Sequence, residues 1–504
     1  MAMVSQLLSA RAREQPERVA FLGGADGRTL TWRAVAQHAE QWRRLVRTGG
    51  ISTQSRVGLV LGDPLDFTLA YLGCLSAGLT AAPIDPRLTT TELTLALARL
   101  RVDVLATDNA ETLLSPPEID TWQVGVGGPE PVWSVGRASR PSDSAALRPA
   151  VLLTSSGTTG RPKGIPLSEW QLVHAASRVA RHHRFGPAER GYSPLPLFHV
   201  NAQVMGLLAT VVGGGSLVID RRFDAGEYWS RVERWSPTWL NTVPAILASL
   251  AKQPAPPGRV VDRVRFARSA SAPLPPATSR AFTEQTGVGV LETYGMSEGA
   301  GQITANPLDA GQRKLGSVGV PIELDLMVAA PDGSPVPAGG EGEVLLRGPQ
   351  VIRHYLELSE SEPERMRTAR TASGWLRTGD VGALDSSGFL YLAGRADDVI
   401  NRGGEKIYPQ EVENVLLGHP AVVAVAVVGA PHARLGQVPV AFVTVRGGSG
   451  DALTESLHTW CGDRLARYKR PTVIEVTDAL PVGPTGKVLR RALRTELATA
   501  GGAA

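Results

Sequence analysis

Between Thr31 and Leu153 the chain alternates helical and strand patterns, and this alternation constrains its fold more than any other feature. Thr31 to Arg47 reads as a helix with a polar outer face, and Arg56 to Leu61 as a short apolar strand. A helix from Asp66 to Leu75, a strand from Ala81 to Ile84 and a helix from Thr90 to Leu100 follow. A small, polar, Pro-containing stretch, Ser139 to Arg148, precedes the next strand, Ala150 to Leu153. Strands separated by helices do not pair as hairpins; this order builds parallel sheets covered by helices, so the predicted class is α/β. The pattern then changes. From Leu324 to Leu346 short strands are separated by Gly/Pro turns, as in an antiparallel or β-barrel-like part.

Val399 to Pro409 is polar and glycine-rich. Beyond it come a helix (Pro409 to Leu417), strands (Val422 to Val428 and Val438 to Val445), a helix (Leu453 to Leu465) and a charged C-terminal helix. With 504 residues the chain is too long for one ordinary core. It divides into a large N-terminal domain, 1–396, and a small α+β domain, 397–504, whose last five residues are expected to fray.

Composition removes several classes of function. A net charge of +4 over 52 basic and 48 acidic residues, with no basic run, gives no footprint for nucleic acid. Two distant cysteines, Cys74 and Cys461, exclude a disulfide framework and a cysteine-built zinc site, and read as buried thiols. Met1 to Ala20 reads as an amphipathic helix rather than a signal, and no apolar run reaches the roughly 18 residues of a membrane span. The expected location is the cytoplasm.

Four segments carry chemistry. Thr154 to Gly160 is an unbroken run of hydroxyl and glycine residues after a strand, followed by Arg161 and Lys163. Glycines let backbone N–H groups approach phosphate oxygens and hydroxyls add donors, although no Gly-Lys-Ser/Thr closes the run as in a Walker A loop. Glu292-Thr293-Tyr294-Gly295-Met296-Ser297-Glu298 places an acid in a turn after an aromatic, where it can hold a hard cation. Gly374 to Asp380 ends a glycine turn on an aspartate able to accept from sugar hydroxyls. Pro481 to Arg491 presents Lys487 on a loop. Each segment alone also has a bland reading as a surface loop, a turn, an Asx-turn or a solvated lysine.

In this order and spacing the segments resemble the superfamily of acyl-CoA synthetases, peptide-synthetase adenylation domains and luciferases. The likeness is strongest to AMP-forming acid–CoA ligases. It extends through Leu30-Thr31-Trp32, Pro196 to Asn201, Gly316 to Gly319, Gly394 to Asp398, Gly403 to Pro409 and Tyr468 to Pro471, nearly the whole chain. The resemblance implies that a carboxylic acid, ATP, Mg2+ and coenzyme A are used. Such enzymes replace the poor oxide leaving group of a carboxylate by a phosphate ester, and so need a phosphate cradle and a cation at the developing charge.

The resemblance further implies a role for each matching position. Thr154, Ser155, Ser156, Gly157, Thr158, Thr159 and Lys163 cradle the β- and γ-phosphates. Ser271, Ala272, Pro273, Glu292, Thr293, Tyr294, Gly295, Met296 and Ser297 complete the nucleotide site, with Tyr294 near adenine. Asp380 and Arg395 hold ribose, and Glu298 is the magnesium-associated catalytic acid. Lys487 contacts the carboxylate and α-phosphate during adenylation, and Asp397 is the hinge about which the small domain turns between half-reactions. Gly403, Gly404 and Lys406 line the CoA channel, and His199 gates the acyl pocket. Val200, Gln203, Val204, Gly206, Thr242, Ala270, Gly299, Ala300 and Gln302 line that pocket. None of these is an arginine, which favours a bulky hydrophobic or natural-product acid over a dicarboxylate.

Two departures from the family pattern bear on the reading. Ala270 stands where glycine is common, a methyl group that would reshape the carboxylate site or impede ATP. His354-Tyr355 replaces a common Gly-Tyr and is expected in a surface turn. Ala270 keeps open a variant that only thioesterifies a supplied acyl-adenylate. A stand-alone enzyme loading a carrier protein is a further alternative. Oligomeric state is not legible, a homodimer being one option.

Overall fold

The computed structural model describes residues 3–48, 51–108, 120–125, 128–133, 148–155, 163–358, 365–446, 450–482 and 488–501. Ser156 to Pro162, Ser139 to Leu147, Lys487 and the last three residues therefore lie outside the described residues, although expectations above fall on them.

Among the described residues two nine-stranded sheets form the large domain. In the first, Val19–Gly23, Ser216–Ile219, Arg190–Ser193, Trp239–Thr242, Ala267–Ser269 and Val290–Met296 lie side by side and parallel. Gly301–Ala305 then turns back antiparallel against Val290–Met296. In the second, Val151–Ser155, Thr80–Pro83, Arg56–Val60, Val104–Thr107 and Asp120–Gly125 are parallel, and Lys163–Leu167 and His354–Glu357 extend it antiparallel.

The helix Pro64–Ala77 touches strands of both sheets and is buried from Leu65 through Ser76, as a helix apolar on every face must be. It starts earlier than the apolar pattern indicates. Asp63 caps it, accepting from the backbone N–H groups of Leu65 (2.9 Å) and Asp66 (3.0 Å), and Pro64 supplies the preset first turn. The helices Trp32–Arg47 and Thr90–Leu100 fall where the sequence places them, each with a threonine N-cap.

The barrel-like part is a four-stranded antiparallel sheet of Asp325–Ala329, Glu341–Arg347, Leu376–Leu384 and Leu390–Arg395. Past it, a separate sheet built on the long hairpin Val422–His432 and Gly436–Val445 forms the small C-terminal domain. Side-chain alternation along a strand gives this sheet two cores. Val425 and Val427 pack under the helices Pro409–Leu417 and Asp451–Arg464, while Ala426 and Val428 meet Leu493 of the final helix, Arg490–Gly501. Cys74 and Cys461 are buried free thiols, one in each domain.

His354 and Tyr355 do not sit in a surface turn. They begin the strand His354–Glu357, whose later residues Leu356 and Glu357 pair with Gly164 and Lys163. Leu356 is buried, and this anchors the strand in the sheet.

Candidate active site

In sheets of parallel strands, ligands gather at the carboxyl ends, where loops leave and backbone N–H groups converge. Three neighbouring strands of the first sheet, Trp239–Thr242, Ala267–Ser269 and Val290–Met296, deliver the expected residues there. Thr242 and Thr293 are buried and tie the strand ends together, donating to the carbonyls of Arg268 (2.8 Å) and Ser269 (3.2 Å). Ser271, Ala272 and Pro273 then emerge, exposed, from the end of Ala267–Ser269. Met296 and Ser297 are half-buried at the end of Val290–Met296.

Tyr294, Asp380 and Arg395 form one polar chain. The Tyr294 hydroxyl donates to one oxygen of Asp380, and Arg395 Nη1 reaches the other at 2.8 Å. Asp380 and Arg395 face each other across paired strands, so register fixes their contact. Gly295 has a steric reason to be glycine, since a Cβ there would lie 2.1 Å from the Gly301 carbonyl oxygen of the returning strand.

Glu292 is held among these strands and accepts from the backbone N–H of Leu274; burial pushes its carboxyl up to about 8. The unfolded chain releases this proton near the ordinary value of 4.5, and the folded chain keeps it to about 8. Stability is therefore lost as pH rises through that window, by an amount on the order of 2 kcal/mol once solvent screening is allowed for. Glu292→Gln keeps the acceptor and removes the titration. Its melting temperature should match that of the parent at pH 5 and exceed it by ~2 °C or more at pH 8.5. Thermal unfolding across pH checks this, and parallel curves for the two proteins would refute it.

Glu298 follows in the short turn Ser297–Gly299. Tyr355 donates to its Oε1 (3.2 Å), and burial raises its carboxyl above the usual range. The Tyr355 ring in turn lies under Lys163 Nζ, 5.3 Å from its centroid. Thus Tyr355, which the sequence analysis assigns to a turn, bridges the expected phosphate-loop lysine and the expected metal carboxylate. Thr154 and Ser155 pair antiparallel with Gly164 and Lys163.

The acyl-pocket candidates converge on a π-helical segment, Asn201–Leu208, a geometry found often at functional sites. His199 and Val200 are half-buried just before it, and the His199 ring lies 4.3 Å from that of Phe198. Gln203, Val204 and Gly206 are buried within it. A Cβ on Gly301 would touch Met205 and Val204, which places the segment against the strand carrying Gln302. Gly299 and Ala300 are buried beside Gln302.

The structure adds a residue that the sequence expectation lacks, an arginine. Arg268, in the middle of Ala267–Ser269, is 2% exposed. Its Nη1 donates to Asn201 Oδ1 (2.9 Å) and Asn241 Oδ1 (3.0 Å), and its Nε to Gln302 Oε1 (3.2 Å). Burial pushes its guanidinium down to about 9, so it remains charged at pH 7. The sequence shows only an arginine in the short strand Ala-Arg-Ser, which does not tell a buried side chain from an exposed one.

Ala270 is buried and is not among the residues with left-handed backbone; that conformation falls on Ser271, at φ 74°. The methyl group thus costs no backbone strain, and the strain sits one residue later. Asn201 Nδ2 donates to Ser271 Oγ (3.0 Å), linking this residue to the arginine cluster.

In the small domain Gly403 (φ 60°) and Gly404 (φ 96°) turn the hairpin between Ile400–Arg402 and Glu405–Ile407. Left-handed backbone alone calls for glycine there, independent of any channel. Lys406 is exposed on the second strand. Asp397 is exposed in the turn Ala396–Asp398 that joins the two domains. Its neighbour Asp398 pairs with Arg494 and, at 3.9 Å, with Arg490, both on the helix that follows Lys487. Val482 and Val488, on either side of residues 483–487, bridge to each other.

Residues 8–356 match the AMP-binding enzyme family, and residues 411–487 its C-terminal domain. The chain is 37% identical to the sulfoacetate–CoA ligase of Cupriavidus necator, over 97% of this chain and 96% of that one. It is 32% identical to the oxalate–CoA ligase of Arabidopsis thaliana, over 89% of each. Among solved structures, that of the anthranilate CoA ligase AuaEII in complex with anthranoyl-AMP superposes with a TM-score of 0.85 at 26% identity, covering 99% of this chain and 98% of that one.

Proposed function

This chain belongs to the AMP-binding enzymes as an acyl-CoA ligase, and from that premise we propose that it works in two half-reactions on one site, with the small domain turning at Asp397 between them. In the first, an acid carboxylate oxygen attacks the α-phosphorus of ATP; the bond to the β-phosphate breaks and pyrophosphate leaves. In the second, the CoA thiolate attacks the acyl carbon, the bond to the AMP oxygen breaks, and the thiol proton goes to solvent.

The observation that carries this reading is the meeting of Tyr294, Asp380 and Arg395 in one polar chain whose charges are felt by Glu298. Asp380 and Arg395 receive the ribose, and Tyr294 lies against adenine. The hydroxyl and glycine residues from Thr154 to Thr159, with Lys163, take the outer phosphates, and Lys487 the developing charge at the α-phosphate. His199 closes the acyl pocket. Gly403, Gly404 and Lys406 border the path of the pantetheine arm.

A magnesium ion fits the donor set. Glu298 is an oxygen donor whose buried carboxyl is held by one phenol, and Mg2+ is commonly bound by one or two carboxylates completed by phosphates and water. Glu298 would hold it, and the ion would neutralise phosphate charge as pyrophosphate departs. The cytoplasm, where ATP and CoA are available, is the place proposed for the reaction.

The acids named for the similar ligases range from sulfoacetate and oxalate to anthranilate, so those names leave the substrate open. The small residues Val200, Val204, Gly206 and Ala300 point to a hydrophobic or natural-product acid. Arg268 weighs against that, because an aliphatic tail beside it would leave its charge uncompensated. No observation favours the thioesterification-only or carrier-loading alternatives; the Ala270 methyl group sits on ordinary backbone, and its effect on adenylation is read by the test below.

The test is pyrophosphate release from ATP and Mg2+ over a panel of acids without CoA, beside thioester formation once CoA is added. The panel includes sulfoacetate, oxalate, malonate, propanoate, butanoate and aromatic acids. Release and transfer with the same acid establish the two steps. Thioester formation only from supplied adenylates, with no release from their parent acids, would overturn the first step.

A further inference from the structure

We infer that Arg268 is the specificity-determining residue of the acyl pocket, and that together with Gln302 it receives a second anionic group on a short carboxylic acid. This rests on the ligase reading for what happens to the acid, but the binding chemistry follows from the residues themselves.

A buried guanidinium needs compensation. Arg268 receives it only from neutral amide oxygens, those of Asn201, Asn241 and Gln302. No carboxylate pairs with it among the described residues, and its Nη2 has no hydrogen-bond partner among them. A guanidinium only donates, so the Gln302 amide must turn its oxygen toward Nε; its Nε2 therefore points elsewhere. That Nε2 is buried and without a partner. Two unsatisfied donors thus lie on neighbouring side chains, the sealed amide of Gln302 and the Arg268 Nη2, which is not fully enclosed and belongs to a full positive charge. Their complement is an acceptor with at least two oxygens and a negative charge, a carboxylate or a sulfonate.

Position relates this anion site to the reacting centre. Arg268 lies two residues before Ala270, which follows the strand end at Ser269, a span of roughly 7 Å along an extended chain, and the chain turns at Ser271. Asn201 touches both ends, accepting from Arg268 and donating to Ser271 Oγ. An acid with its reacting carboxylate at the exposed loop Ser271–Pro273 and its second anion at Arg268 must be short. A neutral chain of equal length leaves both donors unsatisfied, and sites with unpaired buried donors reject such analogues strongly.

The experiment uses the full chain and two readouts. Calorimetric binding compares the sulfonate and dicarboxylate members of the panel with propanoate and butanoate, for the parent, Arg268→Met, Arg268→Lys and Gln302→Glu. The parent should bind the doubly anionic acids at least ~10-fold more tightly, and Arg268→Met should abolish that preference. Arg268→Lys should retain part of it. Gln302→Glu places a carboxylate beside the guanidinium; it should raise the melting temperature while removing the preference, which covers the case in which Arg268→Met fails to fold.

Pyrophosphate release on the same panel separates the two claims. Preferential binding of anionic acids with no turnover would sink the ligase reading and keep the anion site. Turnover of propanoate or butanoate in preference to every doubly anionic acid would sink the anion site and leave the ligase. Equal preference in the parent and Gln302→Glu would do the same.

Discussion

Lys487→Ala should reduce acid-dependent pyrophosphate release by at least ~10²–10³-fold while leaving thioester formation from a supplied acyl-adenylate within a few-fold of the parent. The first figure is the usual cost of removing one group aimed at charge that develops only in the transition state. The second follows from the proposed division of labour. The lysine serves the α-phosphate in the first step, and in the second the small domain presents its glycine hairpin instead. On either side of residue 487, Val482 and Val488 bridge to each other and the helix Arg490–Gly501 is anchored through Leu493. Both half-reactions should be measured on one preparation with an unchanged melting temperature. Loss of both would contradict the assigned role.

Asp397→Pro should have the opposite signature, with pyrophosphate release within about three-fold of the parent and CoA transfer slowed by ~10²-fold. The turn Ala396–Asp398 is the covalent link between the four-stranded sheet and the small domain, and residue 397 is exposed in it. Proline fixes φ near −65° and restricts the preceding Ala396, so a link that must adopt two geometries is confined to one. A misplacement of about 1 Å at reacting atoms is enough to cost ~10²-fold. Single-turnover measurement of acyl-AMP decay on adding CoA reads the second step directly. Equal slowing of both steps would count against a hinge at this position.

The sequence revealed the fold wherever local pattern and tertiary context agree. The helices Thr90–Leu100 and Pro409–Leu417 have the limits their periodicity predicts, because each begins at a recognisable cap or proline. Pro64–Ala77 was harder, since it is buried on all sides and has no amphipathic edge; its capping Asp63 and terminal Gly78 define it better than its hydrophobicity does. In the site, Asp380 and Arg395 were named together through the family resemblance, and strand register is what brings them into contact. Tyr355 was not legible, because its role depends on an antiparallel strand from nearly 200 residues away meeting Lys163 and Glu298. Arg268 was missed for a related reason. Its three amide partners come from residues 201, 241 and 302, and nothing local distinguishes a strand arginine facing solvent from one enclosed by such a set.

The contact between Tyr294 and Asp380 also bears on how a nucleotide would be received. Asp380 already holds a phenol on one oxygen and a guanidinium on the other. A carboxylate offers about four acceptor positions, so on the proposed assignment two remain for ribose hydroxyls after Tyr294 and Arg395 have taken theirs. The nucleotide then meets a carboxylate whose orientation is already set by its two neighbours, and little ordering is left to be lost on binding. Tyr294→Phe should therefore weaken ATP binding by loosening Asp380 rather than by removing a contact to the nucleotide.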